Sequence, residues 1–322
     1  MGHLVAQEFS KENWINQMAD TQRQTRMYWL HALSGVHVGA GAGVGLVDLP
    51  IIREKVTEWP YIPGTSVKGV LAAFHNADED QRRPKTLARA AFGVADNDKE
   101  EGNNSGALIF TDARLVCLPI ASFFGTFAWT TSWLALRRLA RDLQAAGLPQ
   151  IPSVPAESGD TAAVTEDCAL AEGPLNRQVY LGDFDFATQV SEPVEKWAQF
   201  LAQYFFPGDE AWIREFKRRF IILPEQQFTH FARYGCEVVP RIKISPGTRT
   251  VTGTALWLEE TLPAESLLAG VVICERLFVP GTQFTVENVV STYCKKDELM
   301  QFGGKATTGR GRVQLRFSGG KA

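Results

Sequence analysis

A glycine-rich run followed by one acidic residue is the first candidate for chemistry in this chain. Four glycines fall between Gly39 and Gly45, and Asp48 follows three residues later. Glycine loses more backbone entropy on folding than other residues do, so such a run indicates positive φ angles or the close approach of a ligand. One carboxylate can bind Mg²⁺ when substrate phosphates and water complete the coordination shell. We interpret Asp48 as a candidate catalytic and metal-binding residue on a mobile loop, in which the glycines provide slack; an ordinary turn residue is the alternative.

A predicted helix start with a lysine in its first turn follows this loop. Pro63 and Gly64 predict a turn, Thr65 or Ser66 can cap the helix, and the next apolar residues recur at helical spacing. Lys68 therefore lies where unpaired backbone N–H groups and the helix dipole already favour an anion. We expect Ser66 and Lys68 to contact a phosphate group.

A second glycine-rich loop lies near the C-terminus, between a predicted helix and a predicted strand. It is not a Walker loop, because the glycine spaced five residues on is followed by Arg-Gly and not by Lys-Ser/Thr. It is not a dinucleotide fingerprint either, because it ends a helix and does not open one. Consecutive N–H groups in such a loop can bind an anion, whereas the alternative is a simple helix C-cap and turn. The candidate phosphate-binding residues are Gly303, Gly304, Lys305, Gly309, Arg310 and Gly311.

The sequence contains no GxSxG or HExxH motif and no Cys-His spacing typical of a nucleophile or a zinc site. His37 stands immediately before the glycine run, although a single histidine is more often structural than catalytic. The net charge of −3 gives no global argument for nucleic-acid binding. Between Lys295 and Lys321, however, there are seven Lys and Arg residues and only two acidic residues. The sequence is therefore compatible with a local basic surface.

The 322 residues, 45% of them hydrophobic, have the composition of a soluble globular protein. The five cysteines are scattered, which indicates reduced and mostly buried thiols in a cytosolic protein. No signal peptide is recognisable at the N-terminus. The uncharged stretch from Leu115 to Leu136 is interrupted by proline, glycine and hydroxyl residues, so we expect strands there and not a membrane span. A cytoplasmic location is the resulting expectation.

Strands and helices mix without regular βα alternation, which predicts an α+β fold. The sequence predicts an N-terminal arm over residues 1–26, flexible or ordered, and a single domain over residues 27–322. The segment from 148 to 175 lacks periodicity and is long for a connection, so we predict a protruding hairpin there. The periodicity also predicts the following elements: strands Tyr28–Val36 and Glu237–Ser245, helices Thr65–His75, Lys85–Phe92 and Phe284–Met300, and a helix capped by Ser132 that runs to Ala146.

Several of these stretches, taken in order, resemble a known family. The segments that carry the resemblance are Leu30–Gly39, Val47–Glu54, Pro60–Leu71, Leu256–Glu260 and Gly303–Gly311. Together they are similar to the RAMP superfamily of CRISPR proteins, and most closely to the backbone subunits of type III-B (Cmr) complexes. The likeness covers Tyr28 to Phe317, and so many ordered motifs are far more specific than one glycine loop.

The resemblance implies a modified ferredoxin-like (RRM-like) palm with an inserted thumb hairpin, for which 148–175 is the candidate, and additional helical insertions. It also implies that copies of the subunit stack head to tail along a guide RNA, with other Cmr subunits as partners and without a membrane. Each subunit would cleave complementary single-stranded target RNA at regular intervals in antiviral defence. The activity implied is that of a metal-dependent endoribonuclease that uses Mg²⁺ or Mn²⁺.

Site residues follow from the resemblance position by position. Asp48 matches the acidic residue required for target cleavage and would hold the metal, while His37 and Glu259 match accessory catalytic positions. Lys68 matches a contact to the guide backbone, and Ser66 together with the Gly303–Gly311 loop lies next to the same RNA. Attack of the target 2′-OH on the adjacent phosphorus would leave a 2′,3′-cyclic phosphate and a 5′-OH.

Three alternatives remain at the level of the sequence. The first is a non-catalytic filament subunit in which Asp48 is only a loop residue. The second is a guide-processing endoribonuclease of the same superfamily, which would use a general base such as His37. The third uses both glycine-rich loops to bind a small phosphorylated metabolite.

Overall fold

The computed structural model describes residues 23–43, 45–75, 86–94, 104–157, 159–172, 177–245, 247–279, 283–295 and 297–319. The strands in this part of the chain are β1 (Gln24–Ala32), β2 (Tyr61–Ile62), β3 (Gly93–Val94), β4 (Asn104–Ser105), β5 (Leu108–Phe110), β6 (Ala113–Ser122), β7 (Thr126–Ser132), β8 (Ala162–Val164), β9 (Gln178–Leu181), β10 (Phe184–Val190), β11 (Phe220–Leu223), β12 (Glu237–Ile244), β13 (Val251–Thr261), β14 (Leu267–Cys274), β15 (Glu298–Gln301) and β16 (Arg312–Ser318). The α-helices are α1 (Gly64–Phe74), α2 (Leu87–Phe92), α3 (Trp133–Ala145), α4 (Glu192–Phe205), α5 (Glu210–Arg219), α6 (Glu225–Tyr234) and α7 (Val286–Tyr293), and a 3₁₀ turn spans Ala306–Thr308.

One large sheet organises the molecule, in the order β15-β16-β1-β14-β6-β7-β11-β8-β10-β9. β1 lies between β14 and β16 and pairs antiparallel with both. β6 continues the sheet from β14 and then bends to pair with β7, while a bridge from its last residue to β9 joins the far end. Helices thus pack on a largely antiparallel sheet, which confirms the predicted mixture of α and β structure in its coarse form.

Strand β1 supplies side chains to two separate apolar clusters because its residues alternate between the faces of the sheet. Tyr28 and Leu30 pack into the cluster that contains α1 and α7. Met27 and Trp29 pack into the second cluster, beneath α3, α4 and α5. The functional loops described below leave from the ends of these buried strands, so a rigid scaffold holds them.

Two helices form as their sequence signals predict. In α1, Val67 and Leu71 are one helical turn apart and both are buried. Helix α3 begins after Ser132, whose hydroxyl accepts the N–H of Ala135 at 3.2 Å and so caps the helix. All five cysteines are buried and free, as expected.

Two sequence-based boundaries differ from the structure. Strand β1 begins at Gln24, inside the region assigned to the N-terminal arm, and residues 1–22 lie outside the described residues. The helix predicted over Phe284–Met300 ends at Tyr293, because residues 298–301 pair with β16 as β15. Such pairing between distant segments leaves no periodic signal within the segment itself.

The segment from 148 to 175 also differs from its prediction. The segment contains β8, which lies inside the large sheet, parallel to β10 and antiparallel to β11. Leu170, in the same segment, is buried. Its described residues contain no protruding hairpin. A hairpin that forms a two-stranded sheet of its own is found at β12–β13 instead. Among the described residues, no helix combines the length and apolar character needed to cross a bilayer.

Candidate active site and nucleic-acid interface

Asp48 lies in a segment that is hydrogen-bonded to strand β13 as a short additional strand. Leu49 N–H donates to the carbonyl of Leu258 at 3.1 Å, and Glu260 N–H donates to the carbonyl of Leu49 at 3.0 Å. Oδ2 of Asp48 accepts the N–H of Leu258 at 2.7 Å. The residue remains exposed to solvent. The backbone of β13 therefore fixes an accessible carboxylate in one orientation.

Backbone hydrogen bonds join the described residues of the glycine-rich run to the segment that carries Asp48. Gly43 N–H donates to the carbonyl of Asp48 at 2.8 Å, and Ala40 N–H donates to the carbonyl of Pro50 at 3.0 Å. A Cβ at Gly43 would stand 2.3 Å from the carbonyl oxygen of Val47, which no side chain tolerates. Gly43 is therefore required by close backbone approach, whereas a Cβ at Gly41 or Gly45 would meet nothing within 4 Å. The mobility of the loop stays a prediction.

His37 is buried between Asp48's supporting strand and the second glycine-rich loop. Its Nδ1 lies 2.7 Å from the carbonyl oxygen of Glu260, so Nδ1 is the donor in this bond. Its own carbonyl accepts the N–H of Gly304 at 2.9 Å. Only 7% of the residue is exposed. These contacts give His37 a packing role, and its accessory role in catalysis stays a prediction.

Glu259 lies on the face of β13 that is turned toward the second glycine-rich loop. Its carboxylate accepts hydrogen bonds from Lys305 Nζ at 2.8 Å and Trp257 Nε1 at 2.7 Å, and Arg241 Nε lies 3.3 Å away. Burial opposes ionisation, but the hydrogen bonds from Lys305 and Trp257 and the charges of Lys305 and Arg241 outweigh it and lower the pKa of Glu259 to about 2. A carboxylate held ionised in this way is a poor general base at neutral pH.

Glu260, the next residue, points to the opposite face and was not among the predicted site residues. Its Oε1 accepts Arg53 Nη2 at 2.5 Å and its Oε2 accepts the N–H of Ile51 at 3.0 Å. The alternation of strand side chains was the signal that could have separated the two acids, because neighbours in a strand face opposite ways. Trp257 and Arg241, which hold Glu259, were also missed.

The second glycine-rich loop is closed by contacts within the protein. The N–H of Gly304 and the N–H groups from Thr308 to Gly311 donate to protein carbonyls. Lys305 adopts a left-handed conformation with φ +67° and pairs with Glu259, while Arg310 pairs with Glu237 at 3.3 Å. The loop therefore differs from an open anion-binding nest, although Gly303, Gly304 and Gly309 are exposed. Its contact with RNA stays a prediction.

Lys68 lines a different cleft, of about 630 Å³, between α1 and the strands β3, β4 and β5, whereas Ser66 lies on α1 outside the lining of that cleft. The N–H of Gly64 at the helix start donates to Asp112 Oδ1 at 2.9 Å, so one amide of this terminus already has an acidic partner. Lys68 is half-buried, and burial lowers the pKa of its ammonium group. The structure thus brings His37, Asp48, Glu259 and the Lys305 loop together around β13, and places Ser66 and Lys68 elsewhere.

The described residues contain no cluster of three or more His, Cys, Asp or Glu side chains able to hold a metal. Of the acids around β13, Glu259 and Glu260 are each neutralised by basic partners, which leaves Asp48 as the accessible carboxylate. Mg²⁺ commonly binds one or two carboxylates and completes its shell with water and substrate phosphates. The donor set therefore fits a cation recruited together with a phosphate-bearing substrate better than a resident one.

Comparison with known proteins gives a consistent family match. The model of the RAMP superfamily matches residues 29–314. A curated relative, the "CRISPR system Cmr endoribonuclease Cmr4" of Pyrococcus furiosus, is 30% identical over 288 residues, which cover 89% of this chain and 93% of that protein. The "CRISPR system CMR subunit Cmr4" of Saccharolobus solfataricus is 22% identical and matches 90% of this chain and 95% of its own length.

Solved structures match the fold over nearly the whole chain. The crystal structure of oligomeric Cmr4 from Pyrococcus furiosus superposes with a TM-score of 0.66 at 24% identity, and covers 92% of this chain and 98% of that one. A chain of the type III-B Cmr-beta complex bound to cognate target RNA gives a TM-score of 0.68 at 18% identity, with 91% and 96% covered.

Proposed function

The chain belongs to the RAMP superfamily, and on that premise we propose that it is the backbone subunit of a type III-B CRISPR effector complex that cleaves target RNA paired with a guide RNA. Its curated relative is named as a Cmr endoribonuclease, and its structural neighbours include an oligomer and a complex bound to target RNA. The observation that supports cleavage by this chain is the exposed Asp48 carboxylate, held by Leu258 N–H beside the RAMP glycine-rich loop.

The proposed reaction is intramolecular transesterification of the target strand. The target 2′-oxygen attacks the adjacent phosphorus, the bond from phosphorus to the 5′-oxygen breaks, and a 2′,3′-cyclic phosphate and a 5′-OH result. Asp48 either accepts the proton of the 2′-OH or orients that group, while water supplies a proton to the leaving oxygen. With Mg²⁺ or Mn²⁺ bound, Asp48 and RNA phosphate oxygens would be its ligands, and the chemistry supplied is stabilisation of negative charge.

The arrangement of β16, β1, β14 and β6 supports a finer assignment of the fold. Neighbours among these strands are antiparallel, α1 follows β1 in the chain, and α7 precedes β16. We assign these elements to a ferredoxin-like palm. The thumb is assigned to the β12–β13 hairpin, whose exposed large apolar side chains are those of Val238, Ile242, Ile244, Val251 and Leu256.

The proposal includes self-association, other Cmr subunits and a cytoplasmic location. Head-to-tail contacts between identical subunits do not close and so generate a filament, as a backbone along a guide RNA requires. The proposed guide-binding surfaces are the cleft lined by Lys68, together with the nearby Ser66 on α1, and the Gly303–Gly311 loop. Guide processing receives less support than target cleavage, because the histidine that it would use as a base is buried with Nδ1 on a carbonyl oxygen.

The test is Asp48→Ala in the assembled complex with a labelled complementary target. We expect cleavage to fall at least 100-fold, while the amount of co-purified guide RNA and the affinity for target stay unchanged, because Asp48 is exposed and supports little of the fold. Asp183→Ala removes another exposed carboxylate and serves as the matched control. Unchanged periodic cuts in the Asp48 variant would mean that this subunit is a non-catalytic scaffold.

The chemistry has a separate test. A target with 2′-deoxyribose at the cleaved positions should resist cleavage while it still binds, since the nucleophile is missing. Chelation with EDTA should stop the reaction and added Mg²⁺ or Mn²⁺ should restore it. Cutting of the 2′-deoxy target would exclude the 2′-OH mechanism, and cutting in EDTA would exclude metal dependence.

A further inference from the structure

Arg53 and Glu260 form an ion pair directly beneath the loop that carries Asp48. Arg53 Nη2 lies 2.5 Å from Glu260 Oε1, and their side chains are only 19% and 10% exposed. Burying two charges is costly unless geometry and further hydrogen bonds compensate for lost hydration. Such a pair needs an explanation beyond stability, since a surface pair contributes little and an apolar pair would often serve as well.

The other hydrogen bonds of Arg53 and Glu260 connect the loop that carries Asp48 with β13 and α6. Glu260 Oε2 accepts the N–H of Ile51 at 3.0 Å, so the glutamate holds both the backbone and a side chain of the loop. Arg53 Nη1 donates to the carbonyl of Ala232 in α6 at 2.6 Å and to that of Glu58 at 2.7 Å. The loop is therefore anchored to β13 and to the end of α6 through charge-assisted hydrogen bonds.

The orientation of Asp48 depends on how the loop is aligned along strand β13. Leu49 makes an isolated parallel bridge with Glu259, which is a short attachment for an exposed loop. Asp48 reaches Leu258 N–H only while that bridge holds, and the anchor at Ile51 and Arg53 lies three to five residues away. Besides the anchor, the bonds at Leu49, the pairing of Ile51 and Ile52 with residues 38–39 and the burial of Ile51 hold the loop. The bonds at Leu49 are its backbone contacts with β13, so loss of the anchor would make a shift of the carboxylate along β13 easier.

We propose that Arg53 and Glu260 are positioning residues for target cleavage, and that they keep the Asp48 carboxylate in register on β13. The inference rests on the proposed function, since it assigns the pair to the same active site. It separates two neighbouring acids: Glu259 attaches β13 to the Lys305 loop, whereas Glu260 sets the geometry of Asp48. Neither Arg53 nor Glu260 needs to touch RNA.

The first measurement is single-turnover cleavage at saturating target. Glu260→Gln keeps an oxygen for Ile51 N–H but loses the charge that holds Arg53, and Arg53→Met removes the other partner. We expect either variant to lower the cleavage rate constant 10- to 100-fold with target affinity changed less than threefold. Arg53→Lys, which retains the charge, should recover part of the rate. Glu195→Gln is the control, because it breaks the Lys217–Glu195 pair between α4 and α5.

A second measurement does not depend on activity. In the full-length protein, amide hydrogen exchange at Ile51 and Leu258 should become at least tenfold faster in Glu260→Gln, while the amides of β1 keep their wild-type rates. A purely structural role would instead accelerate exchange in β1 as well. If Glu260→Gln fails to fold, Arg53→Met gives the same comparison, and Arg53→Lys should show exchange rates closer to those of the wild type.

The outcomes separate this inference from the proposed function. Wild-type cleavage by Glu260→Gln, together with loss of cleavage in Asp48→Ala, would overturn the positioning role and leave the function intact. Cleavage that persists in Asp48→Ala would overturn the function instead. In an Asp48→Asn background, Glu260→Gln should have no further effect on residual cleavage, since it acts through Asp48, and an additive loss would contradict the inference.

Discussion

Glu259 and Glu260 are adjacent acids with different surroundings, because a strand alternates its side chains between two faces. Glu259 joins Lys305, Arg241 and Trp257 on one side. Glu260 joins Arg53 and the Ile51 N–H on the other. At the scale of residues, the site is therefore a central strand with an accessible carboxylate at one edge and charged supports on both faces.

The lowered pKa of Glu259 gives a prediction for stability against pH. Folding favours its ionised form, so the stabilisation is complete above the ordinary pKa near 4.5 and is lost as the pH falls toward 2. The difference between pKa values of 4.5 and about 2 corresponds to at most about 3.5 kcal/mol, since one pKa unit is about 1.4 kcal/mol. Glu259→Gln should lower the free energy of unfolding at pH 7 and flatten its decline between pH 4.5 and 2, as measured by urea titrations. The exposed Glu172→Gln is the control, and parallel curves for Glu259→Gln and wild type would refute the prediction.

Two glycines of the second loop allow a test at the scale of elements. Gly303 has φ +71°, and a Cβ there would stand 2.2 Å from the carbonyl oxygen of His37. Gly309 has φ +79°, but a Cβ there meets nothing within 4 Å. Gly309→Ala should cost about 1 kcal/mol for the left-handed backbone alone. Gly303→Ala should cost roughly 3 kcal/mol, because the clash adds to that strain and disrupts the Gly304–His37 bond.

Chemical denaturation of both glycine variants measures this difference. Equal losses would show that the loop shifts freely from His37 and is not packed against it. If the conformation of the loop matters for the RNA interface, Gly303→Ala should retain less guide RNA than Gly309→Ala does.

Elements with local signals were predictable, and those made by distant pairing were not. The spacing of Val67 and Leu71 and the cap at Ser132 belong to single helices, so the sequence alone indicates them. β15 forms only through its pairing with β16, and the Glu260–Ile51 bond joins residues 209 positions apart. Asp48 was predicted from its setting and from the family resemblance. Its support by Leu258, Arg53 and Glu260 could not be predicted, because contacts between residues far apart in the sequence leave no local pattern.

The hairpin β12–β13 shows the same limit. The alternation of Val238, Ile242 and Ile244 with Arg241 and Lys243 correctly predicts a strand. Alternation does not say which face meets the core, and here the apolar residues are exposed. The pattern is accounted for if the hairpin contacts RNA or another subunit in the assembled complex.

At the scale of the whole molecule, β1 joins the two apolar clusters, and Trp29 is its largest side chain. Trp29 is 1% exposed, donates to Ser318 Oγ at 2.6 Å and stacks on Tyr204. Trp29→Ala should lower the free energy of unfolding by about 3–5 kcal/mol. Phe123→Ala, at an 82% exposed position, should change it by less than about 0.5 kcal/mol. Thermal and urea unfolding of both variants test this, and similar losses would contradict the central role of β1.

The place of β1 between β14 and β16 also determines when the protein can fold during synthesis. A ribosome releases β1, His37 and Asp48 long before it has made residues 258–274 and 304–318, with which they pair. Pairing between such distant segments is slow and leaves strand edges exposed in the meantime. A nascent chain arrested near residue 250 should have a protease-sensitive β1, whereas the same strand should be protected once translation ends. Incomplete translation products would thus lack an assembled Asp48 site, since Leu258 and the strand that presents it are added late.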